Sequence, residues 1–329
     1  MEKSLFCAQE NISRQTQLIF SHDDPFLEDY KKPPIPLVQQ RCGSIQLFNG
    51  ASYQCTSENP INGSQLPNDS PAPLINFSNN CWLNSVLQLL LNLPDFISFF
   101  VKNHNFFFGK RETIFILLAK MFLSYTKKDK VLILKYLKEI KGKLEMENST
   151  FVGLGMQDPS EALLCMLNIL EKEMRLYLKL NSPENHNLIK EMFSINIKTT
   201  FSCLNCFYST EFYSEELMLC CQIKESHDGK LTVSESIKTY LEEIRTCMKC
   251  ESQRCHYKSS FSCLPKLLII VIKRAQYVEN VEKKNREAIE LDSIIKVMGE
   301  NEEVYYSIYR CIIHVGNHCQ NGHYLACLR

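Results

Sequence analysis

The pattern of hydrophobic and polar residues divides the chain near residue 72. Residues 1–72 are polar and repeatedly interrupted by proline, with an Asn/Gly/Ser-rich stretch over residues 57–70. A composition of this kind buries little apolar surface, so we expect a mobile polar extension or linker here. Within it, residues 44–48 are compatible with one short strand. Residues 73–329 carry the periodic patterns of a folded domain.

Helical periodicity dominates the first half of that domain. Apolar residues recur at helical spacing from Cys81 onward, and Pro94 is expected to end this helix. The same spacing predicts three further helices, at about residues 113–125, 130–144 and 158–180. Asp158 can cap the last of these, since Pro159 suits the first helical position and Glu161 completes a capping box.

The second half is rich in β-branched and aromatic residues, which favour strands. These strands are predicted at residues 192–201, 266–272, 303–315 and 323–328. Helices therefore precede strands, and alternating βαβ units are absent from the pattern. This order predicts an α+β fold with an antiparallel sheet.

Charge and hydropathy exclude several classes of partner. The 37 basic and 37 acidic side chains give a net charge of zero, so no overall field attracts the chain to nucleic acid or an anionic membrane. The longest apolar run, residues 264–272, contains a proline and a lysine and is too short for a membrane span. The N-terminus lacks the pattern of a secretory signal. We expect a protein of the cytoplasm, the nucleus or both.

In a reducing compartment the 16 cysteines are not expected to pair as disulfides, which leaves metal binding and catalysis. Cys203 and Cys206 form one C-x-x-C pair, and Cys247 and Cys250 form a second. Two such pairs supply the four thiolates of a closed, structural zinc site. Chance spacing of small core residues and a redox dithiol are the alternatives. Four further cysteines compete as ligands: Cys220, Cys221, Cys255 and Cys263.

Cys81 is a candidate nucleophile because it lies in the first turn of its predicted helix. Unpaired N–H groups and the positive end of the helix dipole favour a thiolate there. Asn76 lies five residues upstream, where its amide and the backbone N–H of Cys81 could stabilise the oxyanion of a tetrahedral intermediate. The alternative is that Cys81 is a small buried core residue.

A thiolate nucleophile also needs a base, and Gly322-His323-Tyr324 offers one near the C-terminus. The glycine permits close approach of a substrate backbone, and a histidine at the start of a strand can be aimed at a distant helix. His314 and His318 are rival candidates, but neither has this Gly-His-aromatic setting. A surface histidine without catalytic function is the other alternative.

Together these residues resemble the ubiquitin-specific protease family, papain-like cysteine peptidases that remove ubiquitin. Residues 76–84, Asn-Phe-Ser-Asn-Asn-Cys-Trp-Leu-Asn, are similar to the family's cysteine box. Further similarity lies in the Gln-Asp-x-x-Glu segment at 157–161, the two C-x-x-C pairs, the Leu-Pro…Lys-Arg strand at 264–274 and the histidine box at 309–324. The five segments occur in the family's order.

The resemblance implies a thumb, palm and fingers architecture over residues 73–329. The palm would be an antiparallel sheet, and the fingers, at about residues 195–265, would contain a structural zinc ribbon. It further implies a thiol-dependent deubiquitinase that acts on ubiquitin and ubiquitinated proteins and hydrolyses the bond after the C-terminal glycine of ubiquitin. No cofactor is expected for the chemistry itself.

The resemblance also assigns roles to single residues. Cys81 would be the nucleophile, His323 the general base and Asn76 the oxyanion donor. Asp158 and Glu161 would face the arginines of the ubiquitin tail through charge-assisted hydrogen bonds, unless they serve only to cap their own helix. Gly322 and Tyr324 would also contact the substrate: the two flank His323 in sequence.

The sequence departs from the family's pattern in two places. Ser78 replaces a glycine and Asn80 a threonine in the cysteine box, which predicts an altered loop. The family's third catalytic residue, an aspartate or asparagine on a later strand, has no counterpart because the sequence ends six residues after His323. We therefore expect a domain truncated at its C-terminus, with an exposed sheet edge.

These departures leave two alternatives to an active deubiquitinase. One is a catalytically weak or inactive relative that still binds ubiquitin, since loss of an orienting carboxylate costs on the order of 10⁴ in turnover in a serine triad. The other is specificity for a different ubiquitin-like modifier.

Overall fold

The structure is a computed structural model. It describes residues 15–21, 73–103, 112–181, 187–223, 231–241, 246–253, 255–278, 281–300, 302–318 and 321–328. Helices occupy the first part of the domain and strands the second, as the sequence predicts.

Four helices of the described residues, those that begin at Cys81, Ile114, Lys130 and Pro159, match the predicted ones, and three others were not predicted. In chain order, the helices are α1 (Cys81–Leu90), α2 (Pro94–Asn103), α3 (Ile114–Thr126), α4 (Lys130–Glu147), α5 (Pro159–Asn181), α6 (Leu188–Phe193) and α7 (Val233–Leu241). Pro94 differs from the prediction, because it opens α2 in addition to following α1. Proline is favoured at the first helical position, where no backbone N–H is needed.

Helix α1 lies at the centre of the helical layer and is buried over most of its surface. Trp82 stacks on Phe151 with ring centroids 5.5 Å apart. Arg310 donates a 2.8 Å hydrogen bond to the carbonyl of Asn92, just beyond the C-terminus of α1. A cation at this end complements the helix dipole and joins the helix to the sheet. Helix α1 is therefore packed next to Cys81 by Trp82 and tied to the sheet at its opposite end by Arg310.

No single helix among these ranges is long and apolar enough to span a membrane. Helix α1 and residues 94–102 reach that length only when counted together, and they are bent by 83°.

The described strands form two larger sheets and one hairpin. They are β1 (Gln15–Ser21), β2 (Ile195–Cys203), β3 (Ser209–Glu216), β4 (Leu219–Gln222), β5 (Cys255–Cys263), β6 (Leu267–Lys273), β7 (Ala275–Val278), β8 (Val281–Lys284), β9 (Ile294–Met298), β10 (Glu303–Val315) and β11 (His323–Leu328). The palm sheet has the order β11-β10-β1-β6-β4, with β9 also pairing with β10. Its pairs are antiparallel except β4 with β6, which is parallel and departs from the predicted antiparallel sheet.

Strand β6 separates two hydrophobic cores. Its residues 267–272 are all buried. Leu267, Ile269 and Val271 face the helical core, whereas Leu268, Ile270 and Ile272 face a second core on the other side of the sheet. A strand buried on both faces reads as a continuous apolar run, which is the pattern seen in the sequence.

Strand β1 corrects the prediction of a mobile extension over residues 1–72. Residues 15–21 lie in the interior of the palm sheet, between β6 and β10. Ile19 pairs with Ile269 on one side and Arg310 on the other, and its side chain is 0% exposed. The remainder of the predicted extension, with the short strand at 44–48, lies outside the described residues.

The fingers are built on the sheet β3-β2-β5. Strand β2 alternates strictly between buried and half-buried residues, so one of its faces is packed. At the base, Glu215 accepts hydrogen bonds from Ser194 at 2.6 Å and from Lys190 at 2.7 Å. These contacts, led by Lys190, hold the pKa of Glu215 below its usual value. The three strands lie within the predicted limits of the fingers.

Candidate active site

The loop before α1 is organised by the buried side chain of Asn80. Its Oδ1 accepts hydrogen bonds from the backbone N–H groups of Phe77 at 2.8 Å and Ser78 at 3.1 Å. Its Nδ2 donates to Oδ1 of Asn84 at 2.8 Å and to the carbonyl of Ile75 at 3.3 Å. A threonine has one hydroxyl and cannot make all four bonds. The asparagine therefore fixes this loop by contacts that the family's usual residue would lack.

Serine at position 78 is also accommodated by the backbone. The left-handed residue in this loop is Asn79, with φ of 52°, and asparagine tolerates that conformation better than most residues. Ser78 is not in the left-handed region, so a glycine is not required there. Asn79 Nδ2 donates to the carbonyl of Leu154 at 3.3 Å. The loop thus keeps a defined backbone despite both departures.

A hydrogen bond to its side-chain amide fixes the orientation of Asn76. Its Oδ1 accepts a 2.9 Å hydrogen bond from the backbone N–H of Asn80. Among the described residues, no acceptor is bonded to the Nδ2 of Asn76. Fixing the carbonyl side of the amide presents the N–H₂ side as a donor, which is the arrangement that an oxyanion site needs.

Cys81 is the first residue of α1 and is 5% exposed. Its carbonyl accepts a 2.9 Å hydrogen bond from the hydroxyl of Ser85. The side chain of Asn80 makes no cap bond to the helix, and the first turn has no acidic residue. The positive end of the helix dipole at the Cys81 sulfur is therefore not neutralised by a side chain of the first turn.

His323 begins β11 and pairs with Val315 at the end of β10. Gly322, just before it, allows β11 to approach β10 this closely. A Cβ at position 322 would collide with the ring of His314 and the carbonyl of Val315. The requirement for glycine here is thus steric and internal to the hairpin.

The rival histidines lie elsewhere. His314 is 0% exposed and packs on the ring of Tyr324, with centroids 4.5 Å apart. His318 is exposed, and neither residue lines the cavities beside Cys81. Tyr324 is 2% exposed but lines one of these cavities, and its contact with substrate stays a prediction.

Two cavities flank Cys81, of about 460 and 520 Å³, and Asn76, Cys81 and His323 line both. The first continues along α1 and the edge strand, past Leu74, Asn84, Ser85, Gln88 and residues 324–326. The second is closed by Asn79, Gly155, Met156, Asn321 and Gly322. The structure therefore brings the predicted nucleophile, base and oxyanion donor together at one groove.

The wall formed by Gly155 and Met156 was missed by the sequence analysis. Lys141 donates a 3.1 Å hydrogen bond to the carbonyl of Gly153, and Asn79 holds the next carbonyl, that of Leu154. Gly153 has φ of +99°, a conformation that L side chains rarely adopt. The Gly-x-Gly spacing is the signal in the sequence that points to this loop.

Asp158 caps α5 as predicted. Its Oδ1 accepts hydrogen bonds from the backbone N–H of Ser160 at 2.8 Å and from the Ser160 hydroxyl at 2.5 Å. Glu161 is exposed in the first turn. Neither acidic residue lines the two cavities at Cys81. Their assignment to the ubiquitin tail stays a prediction.

The four predicted metal ligands form one cluster at the end of the fingers. The Sγ atoms of Cys203, Cys206, Cys247 and Cys250 all lie within 4.8 Å of one another. Cys203 and Cys250 are separated by 3.6 Å, and Cys206 and Cys247 by 3.7 Å. A tetrahedron with Zn–S bonds of about 2.3 Å has an edge of about 3.8 Å, so the sulfur positions fit this ion.

Backbone donors stabilise the thiolates of this cluster. The backbone N–H of Asn205 donates to the Sγ of Cys203 at 3.4 Å, and that of Lys249 donates to the Sγ of Cys247 at 3.4 Å. Hydrogen bonds from Cys206 and Asn205 lower the pKa of Cys203 to about 6, although burial opposes this. The competing cysteines at 220, 221, 255 and 263 do not belong to the cluster.

Comparisons with known proteins agree with this arrangement. The family model described as ubiquitin carboxyl-terminal hydrolase matches residues 72–329. Ubiquitin carboxyl-terminal hydrolase 12 of Salmo salar is 24% identical over 309 residues, which cover 83% of this chain and 81% of that relative.

Among solved structures, the Ubp8/Sgf11/Sus1/Sgf73 DUB module of SAGA bound to monoubiquitin is similar, with a TM-score of 0.65 and 19% identity over 78% of this chain. The same module bound to ubiquitin aldehyde gives a TM-score of 0.63 and 20% identity, again over 78% of this chain. In both cases the match spans 61% of the length of the solved chain.

Proposed function

Because the chain belongs to the ubiquitin carboxyl-terminal hydrolase family, we propose that it is a cysteine deubiquitinase that hydrolyses the isopeptide or peptide bond after the C-terminal glycine of ubiquitin. The observation that carries this proposal is that Cys81 and His323, far apart in the sequence, line the same two cavities. A thiol at a helix N-terminus that shares a groove with an imidazole supports nucleophilic catalysis.

The chemistry follows from these positions. His323 removes the proton of the Cys81 thiol, and the thiolate attacks the carbonyl carbon of the terminal glycine. The Nδ2 group of Asn76 and the backbone N–H of Cys81 bind the oxyanion of the tetrahedral intermediate. Collapse releases the amine, which takes its proton from His323. Water, activated by His323, then hydrolyses the thioester and restores the thiol.

The partners follow from the same proposal. Ubiquitin and ubiquitinated proteins are the substrates, and Asp158 and Glu161 bind the basic residues of the ubiquitin tail. The exposed position of Glu161 supports this role. We further propose that the cluster of four cysteines holds a structural zinc ion, and that the protein acts in the cytoplasm, the nucleus or both.

A second candidate function is ubiquitin binding with weak or no turnover. Among the described residues, no carboxylate or amide is hydrogen-bonded to the imidazole of His323. In a serine triad an orienting carboxylate is worth on the order of 10⁴ in turnover. A base with no orienting partner in the described part of the chain is the observation that favours slow catalysis with binding retained.

The test is covalent capture by ubiquitin-propargylamide, which reacts with an active-site thiolate. We expect one ubiquitin to be attached per chain, and we expect Cys81→Ala to abolish the adduct. Cys165→Ala, a change of a half-buried cysteine that does not line the cavities, is the matched control and should retain it. Ubiquitin binding without capture would favour the second candidate. Capture by probes of other modifiers, but not by ubiquitin, would contradict the proposed substrate.

Asn76→Ala should reduce kcat for cleavage of a fluorogenic ubiquitin substrate by about 10²–10³-fold with KM nearly unchanged, because the lost donor acts on the developing oxyanion. Steady-state kinetics measure this separation. Asn168→Ala, on the exposed face of α5, should leave both constants unchanged. An unchanged kcat in Asn76→Ala would remove Asn76 from the oxyanion site.

A further inference from the structure

Two cysteines outside the catalytic groove and the metal cluster face each other across neighbouring strands. Cys311 of β10 and Cys327 of β11 are direct partners in the antiparallel register. Cα atoms of such partners are about 4.5–5.5 Å apart, which lies within the range that a disulfide spans. Both thiols are free in this structure. The pair can therefore be joined with little movement of the backbone.

We propose that Cys311 and Cys327 form a reversible cross-strand disulfide that fastens β11 to the palm sheet. Strand β11 lies at the edge of the sheet, and in the described part of the chain it pairs with β10 alone. Strand β10 is an interior strand, paired also with β1 and β9. The bond joins the strand that begins with His323 to a fixed neighbour.

The two thiols differ in the way that disulfide formation needs. Cys327 is exposed and accessible to an oxidant, whereas Cys311 is half-buried behind it. The hydrogen bond from Cys311 lowers the pKa of Cys327 to about 7 and raises that of Cys311. Cys327 is thus the attacking thiolate near neutral pH, and Cys311 is the resolving thiol.

The oxidant is a peroxide. The Cys327 thiolate attacks one peroxide oxygen, the O–O bond breaks, and hydroxide leaves with a sulfenic acid formed on Cys327. The Cys311 sulfur then attacks the sulfur of Cys327, and its proton and the departing hydroxide give water. Overall, two thiols and one hydrogen peroxide give one disulfide and two molecules of water. Thiol–disulfide exchange with a reduced dithiol returns the disulfide to two thiols.

Other cysteines are less suited to this reaction. Burial raises the pKa of the Cys165 and Cys220 thiols, and it raises that of Cys221 to about 12. Cys81 is only 5% exposed. Compared with these four cysteines, Cys327 should therefore react first when peroxide is limiting.

The test uses the full chain, purified with its zinc and treated with one equivalent of hydrogen peroxide. We expect the mass to fall by about 2 Da, with the loss restored by dithiothreitol. Chymotrypsin can cleave after Tyr324, between the two cysteines, so a linked peptide pair should show a bond to Cys327, and the variants below identify its partner. Closing this loop should raise the Tm by about 5 °C.

Variants decide between this bond and others. Cys311→Ser and Cys327→Ser should each abolish the linked peptides and the rise in Tm. Cys319→Ser, which changes the cysteine between them in sequence, should retain both. Stable sulfinic acid at Cys327 without a link, or a link that persists in Cys311→Ser, would overturn the proposal.

Discussion

Deletion of residues 1–21 should abolish folding of the catalytic domain, even though the match to the family model begins at residue 72. All seven residues of β1 pair with β6, and its other edge pairs with β10. Without β1, strands β6 and β10 would each present an unpaired edge inside the sheet. The loss exceeds what a domain of ordinary stability, about 5–15 kcal/mol, can tolerate.

The measurement is thermal unfolding followed by circular dichroism for chains that begin at residues 1, 15 and 22. The chains from 1 and 15 keep β1 and should unfold cooperatively, whereas the chain from 22 should show no cooperative transition. A point variant gives an independent reading: Ile19→Ala should cost about 2–5 kcal/mol, because Ile19 is fully buried, and Ile19→Val about 0.5–1.5 kcal/mol. Equal Tm values for all three chains would show that β1 is dispensable.

Replacement of Cys203 or Cys250 by serine should release the metal and unfold the end of the fingers. Three thiolates without the fourth no longer close a tetrahedral site. Binding of structural zinc supplies about 10–16 kcal/mol in zinc-finger peptides, so its loss removes most of the free energy that folds this region. The small apolar cluster around Phe201 and Cys255 cannot replace it.

Metal analysis by mass spectrometry should find one zinc per wild-type chain, none in the two ligand variants and one in Cys263→Ser. Cys263 is exposed and lies outside the cluster, which makes it the matched control. Hydrogen exchange should show loss of protection at the cluster end of β2 and β5 in the ligand variants. A wild-type protein that contains no zinc after purification without chelators, or ligand variants with unchanged protection, would contradict the assignment.

Local patterns predicted much of the fold. The helices at 114–126, 130–147 and 159–181 follow from their apolar periodicity, and β10 and β11 begin and end at the predicted residues. The similarity to solved structures confirms the predicted fold. The two cysteine pairs of the candidate metal site were also predictable, because each C-x-x-C pair forms a turn that brings its two cysteines together. In each case the signal in the sequence lies within one element or one turn, although the two cysteine pairs meet only in the folded chain.

Other features depend on partners far away in the chain. Residues 15–21 have little hydrophobic pattern of their own, and they become a strand because β6 and β10 leave a gap between them. Asn80 organises its loop through five hydrogen bonds of its backbone and side chain. The position of Asn80 in the sequence does not predict these bonds. Burial of His314 and the position of Tyr324 likewise depend on the packing of β11 against β10.

The sequence by itself determined the family, the helix that begins with Cys81 and the two cysteine pairs of the fingers, because short-range spacing encodes each of them. The sequence favoured His323 over His314 and His318 as the base, but only the tertiary structure shows that His323 shares a groove with Cys81. It also decided that the N-terminal segment completes the sheet on which that histidine is carried. Strand pairing joins residues separated by most of the chain, and no local pattern specifies which strands will meet.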